Sequence, residues 1–350
     1  MIAGTSTSLA RVVSTEAGTW ADWARHDGIQ DNVQHDQAAE LQNAVRLGLD
    51  RLCRKHPGDD CTDLTSELMD MLQVLRQSTS AKVWENHILP AARAHEISRR
   101  MHECPFTRHC YSKPRGYPGD AELIDFVYKH PDVRGSVDAA TAAGRTVLNV
   151  TVNVPACEAV RRRKEVLARK IDEVAEERSQ AEVLAVACGH LREAESSIAL
   201  KKGGIARLLA TDQDQISLGK ADRYRSTLRS NIEARNLSVR NLIMGKHELG
   251  TFDLVYAAGL YDYLDARLAG RLTTTLFKLL KSGGRLLIPN FLTGLNQEAY
   301  MEVCMDWYLL YRTRAEIEAF SNGIQRADIS RTDYFEDETG TIGYLEIQRG

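Results

Sequence analysis

At 350 residues the chain is long enough for one large domain or two smaller ones, each able to bury its own core. A hydrophobic content of 43%, a charged content of 27% and a net charge of -3 describe a globular chain, neither disordered by composition nor basic enough to suggest a nucleic-acid partner, so a small-molecule ligand is expected. No run approaches the roughly 18 to 20 apolar residues of a membrane span, and no basic stretch leads into an apolar core at the amino terminus, so no membrane span and a cytoplasmic location are expected.

Residues 1–35 are polar with little periodicity and read as a loosely held arm carrying at most a short helix around Trp20 and Trp23. From Asp36 the pattern becomes helical: Val45, Leu49 and Leu52 share a face, and after His56-Pro57-Gly58-Asp59 so do Leu64, Leu68, Met71 and Leu75. A helix over residues 82–100, kinked at Pro90, should follow. Residues 105–120, PFTRHCYSKPRGYPGD, are dense in Pro, Gly, Arg and Tyr and predict a structured loop of functional length before a helix over 121–129. Residues 131–146 read as a connector and 155–178 as a charged helix. The domains expected are the arm, a helical cap and substrate lid over 36–150, and a ligand-binding domain over 151–350.

The seven cysteines, an odd and scattered count, favour reduced thiols. His102, Cys104, His109 and Cys110 cluster in sequence, but their spacing matches no paired zinc pattern, so no metal is expected.

In the second half, AEVLAVAC, ARLLATD, LSVRNLIMG, FDLVYAAG and GGRLLIPNF read as strands. Helices are expected after the first up to Lys202, then over 215–231 and 266–281, which predicts a parallel sheet covered on both faces. A helix over 297–320 should follow, its stripe Tyr300, Cys304, Trp307, Tyr308 and Tyr311 being core or the wall of an apolar pocket. ADISRTDYFED and TIGYLEIQR around Glu-Thr-Gly read as a terminal antiparallel hairpin.

Open parallel sheets bind ligands beyond the carboxyl ends of their strands. Gly189 ends the first strand, where the missing side chain admits a ligand to the backbone. Asp212 ends the second, about 23 residues on, the separation at which an acid reaches ribose hydroxyls. His-Leu-Arg-Glu follows Gly189, so the three-glycine pyrophosphate cradle is missing and a nucleoside without phosphates fits better than a dinucleotide. That disfavours a dehydrogenase.

VLAVACGHLREAE, LLATDQD, FDLVYAAGLYDYLD and LLKSGGRLLIPNF, in that order, resemble the successive motifs of class I S-adenosylmethionine-dependent methyltransferases. The resemblance implies a Rossmann-like α/β fold, here behind an N-terminal helical cap, with S-adenosylmethionine as cofactor. It places Ala187, Gly189 and Glu193 along the methionine part, Asp212 and Gln213 along the ribose and adenine edge, and Ala258, Gly259 and Tyr261 facing the cofactor after the fourth strand. Ala187 replaces the usual second Gly of the first motif, and Met244-Gly245-Lys246 stands where an Asp often contacts adenine. PFTRHCYSKPRGYPGDAELIDFVY, with AAGLYDYLD, GGRLLIPNF and DWYLLYR, resembles more narrowly a bacterial subgroup that includes methyltransferases forming methyl esters of 3-hydroxy fatty acids for quorum signalling.

Methyl transfer from a sulfonium is an in-line displacement in which positioning dominates. A carboxylate acceptor, already ionised, needs only orienting groups, for which Arg115, Tyr117 and Tyr261 are candidates. A hydroxyl or amine acceptor would need a proton acceptor such as His190, Asp120 or Asp262. Each has a plainer reading: Arg115 and Asp120 pairing within their loop, Tyr117 plugging a packing gap, His190 capping a helix or meeting solvent, Asn290 making a strand-end turn. The run Arg161-Arg162-Arg163-Lys164 reads as a solvated helix face, so a nucleic-acid methyltransferase is disfavoured. Carboxylate O-methylation of a fatty-acid-like or amphipathic metabolite leads; a hydroxyl- or amine-directed enzyme, a non-catalytic nucleoside-binding scaffold, and a homodimeric state stay open.

Overall fold

The computed structural model describes residues 35–350. The short helix expected around Trp20 and Trp23 lies outside them. The chain divides into two compact units, one running to Val154 and including Leu295–Tyr308, the other comprising Pro155–Gly294 and Leu309–Gly350.

The first unit is helical. His35–Lys55 buries Val45, Leu49 and Leu52, and Thr62–Gln77 buries Leu64, Leu68, Met71 and Leu75, which is the three-and-four spacing of the sequence made into packing. Pro90 does not mark a simple kink in one long helix. Lacking an N–H, it cannot close the ordinary turn, and the chain before it widens into a π-helical turn, Trp84–Ile88, that runs into Leu89–Ala94. The break comes at His95, whose ψ is 149° and whose ring caps the next helix, Glu96–Met101, by accepting from the Ile97 N–H.

Residues 105–120 are not all loop. Pro105–Ser112 is a helix started by Pro at its first position and by the Cys104 thiol as N-cap, and only 113–120 form the turn-rich segment. Residues 131–146, expected as a connector, are also helical: Pro131–Val133 and Ala142–Thr151 start from His130 and Thr141 side-chain caps, and Arg134–Asp138 follows the first with no cap of its own.

The second unit opens with the helix Pro155–Glu177 and is built on a seven-stranded sheet. Its strands are β1 Ala181–Val186, β2 Ile205–Asp212, β3 Ile232–Asn236, β4 Phe252–Tyr256, β5 Leu280–Phe291, β6 Ile329–Glu336 and β7 Ile342–Arg349. The order is β3-β2-β1-β4-β5-β7-β6; the first five run parallel, and β7 is antiparallel to both β5 and β6, the hairpin expected at the end of the chain. Leu184, Val255, Leu286, Ile288, Leu345 and Ile347 lie in one buried cluster on this sheet.

One strand was misplaced by the sequence. LSVRNLIMG is not β3: Ser238 caps the helix Val239–Ile243, and β3 is the more polar IEARN before it. An edge strand with one neighbour needs no continuous apolar run, so polar IEARN pairs with β2 while Val239 and Leu242 turn inward at helical spacing. The helix expected over 297–320 likewise stops at Met305, because Asp306 takes a left-handed φ of 47° as its cap, and a second helix, Arg314–Glu318, starts from a Thr313/Glu316 capping box. The aromatic stripe is therefore not one face: Tyr300 and Cys304 are buried on Glu298–Met305, whereas Tyr308 beyond it is exposed.

Candidate functional site

In the second unit β1 lies between β2 and β4, and the chain winds from β1 outward through β2 to β3, then crosses to β4 and β5. The switch point where an open α/β sheet leaves a crevice is therefore beyond the carboxyl ends of β1 and β4. Three left-handed residues alternate just after β1: Ala187 at φ 52°, Gly189 at 54° and Leu191 at 54°. Only glycine takes this conformation freely, so Ala187 and Leu191 are held in it by their surroundings.

Asp212 is the principal restraint. Its Oδ2 accepts the Gly189 N–H at 2.9 Å and its Oδ1 the Asp214 N–H at 2.9 Å, tying the loop after β1 to the end of β2, while the Cys188 N–H extends the pairing to the Thr211 carbonyl at 3.0 Å. Burial pushes the Asp212 carboxyl above its ordinary range against the pull of these N–H groups.

Glu193 sits in the tight turn Arg192–Glu195 and is 6% exposed; the Tyr256 hydroxyl at the end of β4 donates to its Oε1 at 2.6 Å. Burial raises its carboxyl, and the Tyr256 bond offsets that only in part. Burial also pushes the Cys188 thiol well up, with the Asp212 and Glu193 charges adding to it, which leaves that sulfur inert as a nucleophile. Ala187, Gly189, Ala258 and Gly259 are half-buried and Gln213 is exposed. Ala187, Gly189, Glu193 and Asp212 thus gather around the ends of β1 and β2, and Ala258 and Gly259 follow β4 beside them.

Arg163 is the residue the sequence reading missed. Arg161 and Arg162 do pair with Glu158 and Lys164 with Glu165, as a solvated face would, but Arg163 is only 6% exposed. A Cβ built on Gly259 would lie 3.4 Å from its Nη2 and 3.6 Å from its Nη1, so the guanidinium rests against the loop after β4. The signal was present: Val160, Arg163, Leu167, Ile171 and Val174 recur at spacings of three and four and are all buried, placing Arg163 on the apolar stripe.

The expected acceptor groups are dispersed. Tyr261 is fully buried in the core of the second unit, its hydroxyl 2.9 Å from Thr273 Oγ1 and its ring 5.2 Å from Phe320, so its side chain turns into the core. His190, expected to cap a helix or meet solvent, is 3% exposed, and the turn behind it has no side-chain cap. Asp262 is buried and accepts the Phe291 N–H at 2.8 Å, and Asn290 is bound by Arg312 Nη1 at 2.6 Å in a network that also takes the Tyr261 carbonyl. These two hold β5 and the segment after Leu309 together.

Arg115 and Tyr117 lie half-buried in the first unit; Arg115 pairs with Glu122 at 3.5 Å, and its charge also helps hold the Asp120 carboxyl low. Asp120 caps the helix Ala121–Val127 through the Leu123 N–H at 2.8 Å and binds His109 Nε2 with both oxygens at 2.9 Å. The four sequence-adjacent zinc candidates are committed separately. His102 bonds the Cys304 carbonyl, Cys104 caps its helix, His109 holds Asp120, and burial drives the Cys110 thiol up to about 12. Asp125, His130 and Asp132 lie within 4.8 Å of one another, but His130 Nδ1 accepts the Asp132 N–H to start the turn Pro131–Val133.

No family model matches the chain, and no curated protein matches it. Among solved structures it is similar to one described as a possible exported protein from Bordetella parapertussis, at 18% identity over 88% of this chain and 96% of that one, with a TM-score of 0.53, which is a likeness of fold. It also aligns with the magnesium protoporphyrin IX methyltransferase ChlM of Synechocystis PCC 6803, solved with bound S-adenosylhomocysteine, at 14% identity over 56% of this chain and 86% of that one, with a TM-score of 0.42. The N-methyltransferase NodS of Bradyrhizobium japonicum WM9 aligns at 14% identity over 54% and 95%, with a TM-score of 0.38. No described helix is long and apolar enough to cross a membrane.

Proposed function

We propose that the chain is an S-adenosylmethionine-dependent methyltransferase whose second unit binds the cofactor in the crevice beyond β1 and β4. The observation that carries this is the left-handed turn Ala187-Cys188-Gly189 latched to Asp212 at the switch point of the sheet. It exposes backbone to a ligand on one side and an acid at ribose distance on the other, with no cradle of three glycines for a pyrophosphate. The carboxylate of Asp212 suits the ribose hydroxyls, and Glu193 suits the ammonium of the methionine part. The class I motifs of the sequence fall on these same strand ends.

The acceptor is proposed to be a small molecule, with a carboxylate leading because it needs no base. Methyl-donor assays with labelled S-adenosylmethionine on matched fatty acids, 3-hydroxy fatty acids, their esters and amines test this. Product formed from the acid but not its ester supports carboxylate transfer, and product from the hydroxy ester or the amine overturns it. Cofactor binding without transfer to any of them would point to a non-catalytic binding protein.

A further inference from the structure

A guanidinium is always charged in proteins, and an arginine is rarely buried unless something neutralises it. Arg163 is 6% exposed, yet among the described residues it makes no hydrogen bond and no ion pair within contact distance. Its helix, Pro155–Glu177, packs on β1, β4 and the turn that carries Glu193. Its two terminal nitrogens lie beside Gly259, whose φ is 81° and where an added Cβ would touch them at van der Waals distance. Asp262, the other buried acid near enough to influence it, has its carboxylate engaged by the Phe291 N–H. A guanidinium only 6% exposed, whose nitrogens still reach solvent and bond no acceptor among the described residues, suits an anion that arrives from outside.

Resting on the cofactor reading above, we propose that Arg163 binds the carboxylate of the amino-acid end of S-adenosylmethionine, while Glu193 takes its ammonium. The two side chains come from different elements, the helix before β1 and the turn after it, and carry opposite charges matched to a zwitterion. Gly259 stands beside the guanidinium: a Cβ there would meet it at van der Waals distance, and what demands glycine is the left-handed backbone. The sheet-end motifs then hold the nucleoside, and selectivity for an intact amino acid comes from outside those motifs.

Titration calorimetry on the full chain tests this with three probes: S-adenosylhomocysteine, its decarboxylated amine analogue, and methylthioadenosine, which lacks the amino-acid end. The parent should prefer S-adenosylhomocysteine over the decarboxylated analogue by about 10- to 100-fold, the scale of a charge-assisted paired hydrogen bond. Arg163→Met should erase that preference by weakening S-adenosylhomocysteine alone, leaving the other two within about twofold, and Arg163→Lys should fall between because it keeps the charge without the fork. Equal weakening of all three probes, or a parent that binds the decarboxylated analogue as tightly as S-adenosylhomocysteine, overturns the assignment while leaving the cofactor reading standing; the second outcome needs no variant to fold. A parent that binds none of the adenosyl probes removes both.

Discussion

Asp212→Asn separates the loop latch the structure shows from the ribose acceptor proposed for this residue. The amide keeps the shape but offers one acceptor and one NH2, so either the Gly189 or the Asp214 N–H, each now 2.9 Å from a carboxylate oxygen, faces a donor. A buried N–H left unsatisfied costs about 1–3 kcal/mol. Against this, the carboxyl is raised chiefly by burial, so the parent already bears a cost for its charge that the neutral amide recovers, and the net loss should be about 1–2 kcal/mol near neutral pH. For a unit of this size that lowers the transition by roughly 2–8 °C. Scanning calorimetry of the unliganded protein reads it. Trp84 and Trp307, the tryptophans among the described residues, both belong to the first unit, so their fluorescence marks the other transition as an internal control.

The pH dependence gives the same prediction a sign. A carboxyl whose native pKa exceeds its unfolded one contributes stability that is full below the unfolded value and lost as pH rises through the native value. The amide does not titrate, so the cost of Asp212→Asn should be largest in acid and shrink toward neutrality. An unliganded variant as stable as the parent at every pH would refute the latch, and with it the explanation of how Ala187 and Leu191 are kept left-handed.

Ala187→Gly should stabilise the second unit by about 0.5–1 kcal/mol, the left-handed penalty of an L-residue less the extra unfolded freedom of glycine, as read by urea denaturation; a loss of stability would show that the methyl group packs instead of straining. Glu193→Gln should make the unliganded protein progressively more stable than the parent as pH rises above about 4.5, because burial raises this carboxyl and its native contribution is lost on the alkaline side. The same variant should weaken S-adenosylhomocysteine binding and flatten its pH dependence in calorimetry. Asp120 is the opposite case: burial would raise it, but the His109 and Leu123 bonds prevail and hold it low, so its contribution is present above the unfolded pKa and lost as pH falls below about 4. Asp120→Asn should remove that acid sensitivity from the tryptophan-monitored transition. Tyr261→Phe should cost about 1 kcal/mol through Thr273 and leave cofactor affinity unchanged; a selective loss of affinity would return Tyr261 to the site.

The sheet was legible wherever a strand is buried on both faces, because β1, β2, β4 and β5 each read as a short apolar run followed by punctuation. β3 failed that test for a physical reason, since an edge strand can stay polar, and the apolar residues two positions later belong to a helix that borrows the same letters. Helix ends escaped where they depend on unusual caps. Asp306 closes a helix in a conformation glycine would normally supply, and Cys104 opens one with a thiol. Among candidate site residues, those fixed by strand ends (Ala187, Gly189, Asp212 and Gly259) could be located by counting, whereas Tyr261 shares their sequence neighbourhood but turns into the core.

Arg163 shows why a run of like charges should be read by its phase on the helix. Its neighbours Arg161 and Arg162 face Glu158 across solvent, and one step of the helix later the same side chain lies on the stripe of Val160, Leu167 and Ile171. Positive φ angles also occur at Lys113 and Asp306, but there they are ordinary helix caps, which need no ligand to account for them. Beyond β1 and β4 the departures have no such local excuse and coincide: two side-chain-bearing residues in a glycine conformation, two acids raised by burial, and a cation only 6% exposed. Each alone is tolerable in a stable domain; several local rules broken in one place are what the proposed cofactor site rests on.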